Sequence, residues 1–238
     1  MHVDTQLEAA LRALDHWPRF RLRLFFEGIV VGILSGTVIS FFRWGLEMGT
    51  VWRQWVYANV LVSGSIFLNL AWFGVLLAAA LLLWRLGIYE PNAGGSGIPQ
   101  VKGVILGAIR MRWLRILWVK LVGGIVGIGL GLSLGREGPS IQIGAVTAQG
   151  LSRSLGRTRM EERYLITAGA SAGLAAAFNA PLAGVMFALE ELHRNFSGVV
   201  LAPSMAAALL ATMVSRYVFG RAPVFHFGML PPFPLRYI

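Results

Sequence analysis

Apolar residues occur in long, nearly uncharged runs along this chain. Ile66–Trp84 has 19 consecutive residues without a charge, close to the roughly 20 residues that a helix needs to cross a bilayer. Other runs are interrupted by at most a few charges. We predict an all-α, polytopic membrane protein with full spans near residues 24–46, 66–86, 116–134 and 197–217.

Two further runs predict broken or re-entrant helices. Gly138–Ser152 is uncharged but short, and Leu165–Leu189 is divided by Asn179 and Pro181. We expect the two pieces around this break to be half-helices, and the chain to turn near Gly135–Pro139. Because irregular backbone at membrane depth is tolerated only where it is buried or lines an aqueous cavity, such helices are typical of transport proteins.

Clusters of arginine between the runs predict the orientation. Basic residues favour the cytoplasmic side of a membrane, so the N-terminus is expected in the cytoplasm and the segment of about 47–65 outside. We divide the chain into an amphipathic N-terminal segment (1–23), a transmembrane domain (24–219) and a C-terminal tail (220–238), interpreted as a truncated loop. The clusters comprise Arg19, Arg21 and Arg23; Arg110, Arg112 and Arg115; and Arg153, Arg157, Arg159 and Arg163.

Composition excludes several other classes of protein. Of 238 residues, 56% are hydrophobic and only 13% are charged, whereas soluble domains carry about 25% charged residues. The net charge of +10 does not form one basic stripe, so no nucleic-acid partner is expected. Cysteine is absent and the four histidines are scattered, which argues against a metal site. With no cofactor motif and no nucleophile–base set, we expect neither an organic cofactor nor an enzyme.

Glycines at four-residue intervals predict closely packed helices, because small residues let membrane helices approach one another. The predicted stripes are Gly28, Gly32 and Gly36; Gly123, Gly127, Gly131 and Gly135; and Gly169 and Gly173.

The first candidate site is the pentapeptide Gly95, Ser96, Gly97, Ile98 and Pro99. Glycine permits unusual backbone angles, and proline favours the first turn of a helix. The exposed amides of a helix N-terminus would bind an anion, and the serine hydroxyl would add a donor. An ordinary turn between two helices fits the local chemistry equally well.

The second candidate site is Gly135, Arg136, Glu137, Gly138 and Pro139. It places a charged pair at membrane depth, where ionisable groups are costly and usually functional. A carboxylate at a helix N-terminus is favoured by the helix dipole and would compete with an anion until it is protonated. The alternative is a structural pair between Arg136 and Glu137, although neighbouring side chains diverge on a helix.

A third stretch, residues 179–184, predicts a helix break and restart, and the run after it ends at Glu190 and Glu191. On local chemistry alone, adjacent glutamates at a helix end are solvated surface.

Taken together, GSGIP at 95–99, GREGP at 135–139, and GLAAAFNAPLAG at 173–184 leading into FALEEL at 187–192 resemble the CLC family of chloride channels and chloride/proton antiporters. The resemblance covers residues 24–219 and is closest to the bacterial antiporter type. It implies a multi-pass protein of the bacterial inner membrane whose substrates are chloride and protons.

The resemblance also implies a role for each matching residue. Ser96 would donate its hydroxyl to a bound chloride, with Gly95, Gly97, Ile98 and Pro99 completing that part of the site. Glu137 would be the gating glutamate, within a second filter motif formed by Gly135, Arg136, Gly138 and Pro139. Glu191 would relay protons from the cytoplasm, which favours an antiporter over a channel. Arg136 and Lys120 would give structural or electrostatic support.

One departure from the family is large. Its transport domain is an inverted repeat, and this chain resembles only the first half, without the later G-x-F-x-P motif and the tyrosine of the complete site. The expected partner is therefore a second copy in a homodimer or a complementary second half. Two alternatives to antiport stay open, a passive anion channel and a half-domain that does not transport by itself.

Overall fold

The computed structural model describes residues 2–221 apart from positions 63 and 195. Over these residues every regular element is helical, which confirms the predicted all-α class. The eight α-helices of this described part are α1 (His2–Val56), α2 (Ile66–Tyr89), α3 (Ile98–Ile105), α4 (Trp113–Gly129), α5 (Glu137–Ser154), α6 (Arg159–Phe178), α7 (Pro181–Phe187) and α8 (Gly198–Phe219).

Helix α1 is longer than the predicted span of 24–46. It runs without a break to Val56 and continues as a π-helical turn, Tyr57–Leu61, so the expected loop from residue 47 is wrong over 47–61. Two charged residues near residue 47 pair within the helix: Arg43 Nε donates to Glu47 Oε1 at 3.0 Å one turn later, and such pairs are tolerated on a helix face. The proposed division at residue 23 falls inside this helix and stays a prediction.

The predicted spans at 66–86 and 197–217 are confirmed by α2 and α8. Within the described residues, three helical stretches are long and apolar enough to cross a membrane: Arg19–Leu61, Ile66–Tyr89 and Gly198–Phe219. These spans, in an apolar chain, agree with a membrane protein.

The predicted span at 116–134 ends too late. Helix α4 stops at Gly129, where Gly131 N–H donates to Ile128 O and Leu132 N–H to Gly127 O, both at 3.0 Å. Gly131 has a φ of 100°, and this combination is the Schellman pattern that ends helices at a left-handed glycine. Apolar composition alone did not reveal this end.

The break within residues 165–189 is confirmed. Asn179 adopts a left-handed φ of 58° at the end of α6, and Pro181 begins α7. The description as two half-helices is right only for α7, which has seven residues. Helix α6 has 20 residues, about 30 Å of rise. It is longer than the apolar run because it begins earlier, among charged residues, at a capping box between Thr158 and Glu161.

Two of the three predicted glycine stripes form helix contacts. Gly28, Gly32 and Gly36 of α1 lie against the backbone of α8 at Pro203, Ala207 and Ala211. Gly169 and Gly173 of α6 pack against the backbone of α5 around Gly144. These contacts hold α1, α8, α5 and α6 close together, and α6, which touches all of the other three, forms the centre of the bundle.

The stripe at Gly123, Gly127, Gly131 and Gly135 was predicted wrongly. The first two meet only leucine side chains at ordinary van der Waals distances, and the last two lie outside the helices. Close packing on α4 uses other glycines, because Gly124 contacts the ring of Phe42.

Basic residues from distant parts of the sequence gather at one end of the bundle, called the basic end below. Arg23 of α1 pairs with Glu161 at the start of α6, and Arg157 Nη2 lies 2.5 Å from Glu27 Oε1. Arg163 lies against Gly107, in the loop that leads to Arg110. The three arginine clusters therefore lie at the same end of the bundle, as the predicted orientation requires. The placement of this end in the cytoplasm stays a prediction.

The α1–α8 contact gives a test of the packing. We expect Gly32→Val to destabilise the fold by roughly 1–3 kcal/mol, the usual cost of inserting side-chain atoms into a packed interface. A β-carbon at position 32 would lie 2.8 Å from Ala207 Cα. This neighbour is a backbone atom, which cannot rotate out of the way as a side chain can. Thermal unfolding in detergent, followed by tryptophan fluorescence, measures the loss.

The matched control is Gly74→Ala on α2, where an added methyl group meets nothing within 4 Å. This change should be neutral or stabilise by up to about 1 kcal/mol, since alanine is the better helix former. If both variants unfold alike, the close α1–α8 approach does not contribute as described.

Candidate functional site

The two pentapeptide motifs, separated by about 40 residues in sequence, meet in the fold. A β-carbon on Gly138 would lie 2.8 Å from Ser96 Cα, so the first turn of α5 rests directly on the loop before α3. Only glycine allows this approach. The N-termini of two helices are thereby brought together, and both present backbone N–H groups that have no partner within their own helices.

The loop before α3 is held in a glycine-dependent conformation. Gly95 and Gly97 have φ values of 64° and 88°, and Gly97 packs against the buried side chain of Gln142 from α5. Ser96 Oγ accepts a 3.4 Å hydrogen bond from Ile98 N–H, while the serine itself is exposed. Ile98 and Pro99 form the first turn of α3, as the motif predicted.

A buried lysine supports this loop from the opposite side. Lys120 of α4 is only 6% exposed, and its Nζ donates to the carbonyl oxygen of Gly95 at 2.7 Å. Because a buried charge requires compensating contacts, this bond fixes both the lysine and the loop. The lysine also adds positive charge beside the helix N-termini.

The motifs line one cavity of about 500 Å³, whose wall includes Ser96, Lys120, Gly135, Glu137 and Gly138. Apolar residues of α2 and α4 form much of the rest. A cavity with a hydroxyl, a lysine and two helix N-termini is suited to an anion.

Glu137 and Arg136 diverge, as expected for neighbours on a helix. Glu137 is the first residue of α5, two positions earlier than a helix that opens at Pro139, and its carboxylate folds back against Gly135. The Arg136 guanidinium lies 5.4 Å from the ring centre of Phe178. The glutamate is exposed, so its side chain has room to move.

Glu191 lies at the other end of α3. It belongs to a π-helical turn, Ala188–His193, that continues α7, and its Oε1 accepts a 2.7 Å hydrogen bond from Lys102 Nζ. This hydrogen bond, together with the charge of the lysine, lowers the pKa of Glu191 from its ordinary value. The glutamate is about half exposed, which fits the solvated surface predicted from local chemistry, but it is paired.

Helix α3 connects the two locations. Ser96 precedes it, and Lys102, which holds Glu191, lies six residues further along, about 9 Å of helical rise. The helix ends near Gly107, where Arg163 marks the basic end. Glu191 is therefore near the basic end, and Ser96 lies deeper in the bundle.

Two contributors were missed from the sequence, Lys102 and Gln142. Lys102 is 89 residues from its partner, and no local pattern signals such a pair. Gln142 donates to Asn92 O at 2.8 Å beneath the first loop. It is one of several polar residues in an uncharged run, so no signal in the sequence singled it out.

Comparison with known proteins identifies the family. Residues 74–238 match the family model described as voltage gated chloride channel. The chain belongs to the voltage-gated chloride channel, or CLC, family. This result confirms the resemblance drawn from the motifs, and with it the membrane-embedded all-α architecture.

Curated CLC relatives include two bacterial exchangers. The chain is 33% identical over 228 residues to the H(+)/Cl(-) exchange transporter ClcA of Yersinia pseudotuberculosis serotype IB (strain PB1/+). It is 34% identical over 232 residues to ClcA of Salmonella schwarzengrund (strain CVM19633). Each match covers 94% of this chain and 48% of the relative, so the chain spans about half the length of these curated relatives.

Solved CLC structures show the same relation. A slow cyanobacterial Cl-/H+ antiporter superposes with a TM-score of 0.77 at 33% identity, covering 90% of this chain and 51% of that protein. A CLC-type fluoride/proton antiporter superposes with a TM-score of 0.67 at 26% identity, covering 91% of this chain and 52% of that protein. The eight helices correspond to about half of each fold.

The Lys102–Glu191 pair predicts a measurable change in titration. We expect Lys102→Met to raise the pKa of Glu191 towards that of a free glutamate, because the variant removes the hydrogen bond and the positive charge that favour the ionised form. Carbon-13 NMR of glutamate-labelled protein measures the titration midpoint, and Glu191→Gln assigns its carboxyl signal.

Lys102→Arg serves as the control, since arginine keeps the charge and a donor. Its midpoint should stay near that of the unmodified chain. An unchanged Glu191 midpoint in Lys102→Met would contradict the pairing.

Proposed function

We propose that this chain supplies one half of a chloride/proton antiport pathway. In this proposal chloride binds where the N-termini of α3 and α5 meet, Glu137 gates that position, and Glu191 exchanges protons with the cytoplasm. The observation that carries the proposal is the direct contact of Gly138 with Ser96, which joins the two motifs at one cavity.

Anion binding at this position has a plain electrostatic basis. Backbone N–H groups at two helix N-termini, the Ser96 hydroxyl and the Lys120 ammonium all favour negative charge. Water-poor surroundings strengthen each of these interactions. A dehydrated chloride ion, which needs several donors and no particular geometry, matches such a site.

The carboxylate of Glu137 competes with chloride for the same donor groups. An ionised carboxylate at the first position of α5 is stabilised by the donors that would hold chloride. Protonation removes its charge and with it that attraction, so the side chain leaves and an anion takes its place. One site thus alternates between chloride and a carboxylate, which links anion movement to the binding of a proton.

Glu191 fits the proton-exchanging role at the basic end. It is accessible to water and hydrogen-bonded to Lys102, and α3 leads from it towards Ser96. The ClcA relatives of this chain are named as H(+)/Cl(-) exchange transporters, which supports antiport over a passive channel.

The proposal includes a partner that completes the pathway. The relatives are about twice as long as this chain, so about half of each matched protein has no counterpart in these helices. A second copy or a complementary half would supply the remaining donors around chloride. Bacterial inner-membrane localisation, with the N-terminus in the cytoplasm, is part of the same proposal.

Ion flux from liposomes tests the function. We expect the chain, reconstituted at increasing protein-to-lipid ratios, to release chloride and move protons in the opposite direction. Glu137→Gln should abolish proton movement, because its amide cannot carry the proton, and Glu191→Val should abolish proton movement while chloride release continues. A chloride electrode and a pH electrode follow the two fluxes together.

The matched control is Glu190→Gln, which alters the adjacent carboxylate, one that has no ion pair among the described residues. This variant should keep both fluxes. Chloride release without protons in the unmodified chain would indicate the channel alternative. Absence of both fluxes in correctly inserted protein would indicate a half-domain that does not transport by itself.

A further inference from the structure

A second and larger cavity lies at the basic end, apart from the site described above. Its volume is about 790 Å³, and its wall comes from the end of α2, the loop between α3 and α4, the end of α5 and the start of α6. Two arginine clusters separated by about 40 residues in sequence converge on it. Its arginines are Arg110, Arg112, Arg153, Arg159 and Arg163.

The cavity carries an excess of unpaired positive charge. Five arginines face two glutamates, Glu90 and Glu162. Glu162 is occupied by Arg153 at 3.3 Å and by Gln149 at 2.8 Å. Among the described residues the other four arginines have no acidic partner within 4 Å. Orientation in the membrane requires only that basic residues lie on this side, and it does not explain why they should surround one cavity.

Two residues that line the same cavity carry buried acceptor atoms. Gln149 is 1% exposed and Glu90 is 3% exposed. Gln149 Oε1 and Glu90 Oε2 have no hydrogen-bond partner among the described residues. Buried polar atoms are nearly always satisfied, so these two acceptors still need donors. A ligand that combines negative charge with hydroxyl groups would supply them from the cavity beside these residues.

Phosphate is the anion that suits the arginine side of the cavity. A guanidinium offers several N–H donors in a fixed plane and binds phosphate oxygens in pairs. Arg163 is held against Gly107, which places one guanidinium beside the loop that carries Arg110. Tyr89 and Ile109 add apolar wall, as required for the carbon skeleton next to a phosphate.

The position of the cavity indicates where such a ligand comes from. Its wall includes Tyr89, the last residue of α2, and the surface of α2 is apolar and almost entirely exposed. The mouth is therefore at the level where phospholipid headgroups meet a lipid-facing helix. Basic pockets between membrane helices on the cytoplasmic side are known to suit anionic headgroups.

We propose that this cavity binds a glycerophosphate group, with the arginines on the phosphate and Glu90 and Gln149 accepting from its hydroxyls, as in the headgroup of phosphatidylglycerol. The site is separate from the anion pathway and does not depend on transport activity. A bound headgroup would join α2, the α3–α4 loop and the start of α6 at the end of the bundle where Glu191 lies.

Native mass spectrometry of the whole chain tests the proposal. The chain is released from nanodiscs of phosphatidylcholine containing phosphatidylglycerol, or phosphatidylmethanol, which has the same charge but no headgroup hydroxyl. We expect phosphatidylglycerol to be retained preferentially. The variant Arg110→Gln with Arg163→Gln should lower its retention by at least about tenfold, since the loss of even one charge-assisted hydrogen bond has an effect of that size.

The matched control is Arg19→Gln with Arg21→Gln, which removes the same charge from the basic end but outside the cavity. It should change retention by less than about twofold, as expected for a screened surface charge. If both variants lose phosphatidylglycerol equally, the lipid is retained by general attraction to positive charge, and the proposed site is overturned. Equal retention of the two anionic lipids by the unmodified chain would overturn the role of Glu90 and Gln149.

A soluble probe distinguishes the source of the phosphate. Glycerol 1-phosphate is added to the chain in uncharged detergent, and thermal unfolding is followed for both pairs of variants. One outcome is that glycerol 1-phosphate stabilises the chain only when Arg110 and Arg163 are present, while no lipid is retained selectively. That result would mean that the cavity binds the phosphate of a soluble ligand and not that of a lipid. Neither stabilisation nor selective retention would exclude a phosphate site here.

Discussion

The structure depends on a contact in which one side has no room for a side chain, the approach of Gly138 to the backbone of Ser96. That contact places the first turn of α5 on the loop before α3, so that two helices begin at the same point inside the bundle. Glu137, the left-handed Gly97 and the bond from Lys120 to Gly95 all lie beside it. An anion site built from backbone N–H groups requires the backbones themselves to be adjacent, and glycine makes that possible.

Sequence reasoning identified the parts of this arrangement that depend on local chemistry. Glycine and proline marked both loops, and uncharged runs located α2 and α8 within a few residues. The glycines of α1 and α6 were recognised because small residues every four positions form one face of a helix. The family also followed from short motifs, since their order and spacing are more specific than composition.

The failures have a common physical cause, which is that helix ends and long-range pairs are decided by three-dimensional partners. Arg43 and Glu47 lie near the predicted end of the first span, but they pair on one face of a helix that continues past them. Leu130–Leu134 is as apolar as the helix before it, yet the left-handed Gly131 ends α4. Lys102 could not be assigned to Glu191, because its neighbours in sequence say nothing about a residue 89 positions away.

The glycine face that joins α1 to α8 has a consequence for how this protein is made. Gly28 meets Pro203, about 175 residues later, a delay on the order of 10–35 s at typical rates of synthesis. Throughout that interval the first helix must stay in the membrane with its partner still unmade. Its glycine face is then covered by lipid or by insertion machinery, and the contact between α1 and α8 forms only after α8 has been made. Slow steps of this kind expose a chain to misassembly, so the rate of synthesis and the factors that insert the helices become part of what determines the folded yield.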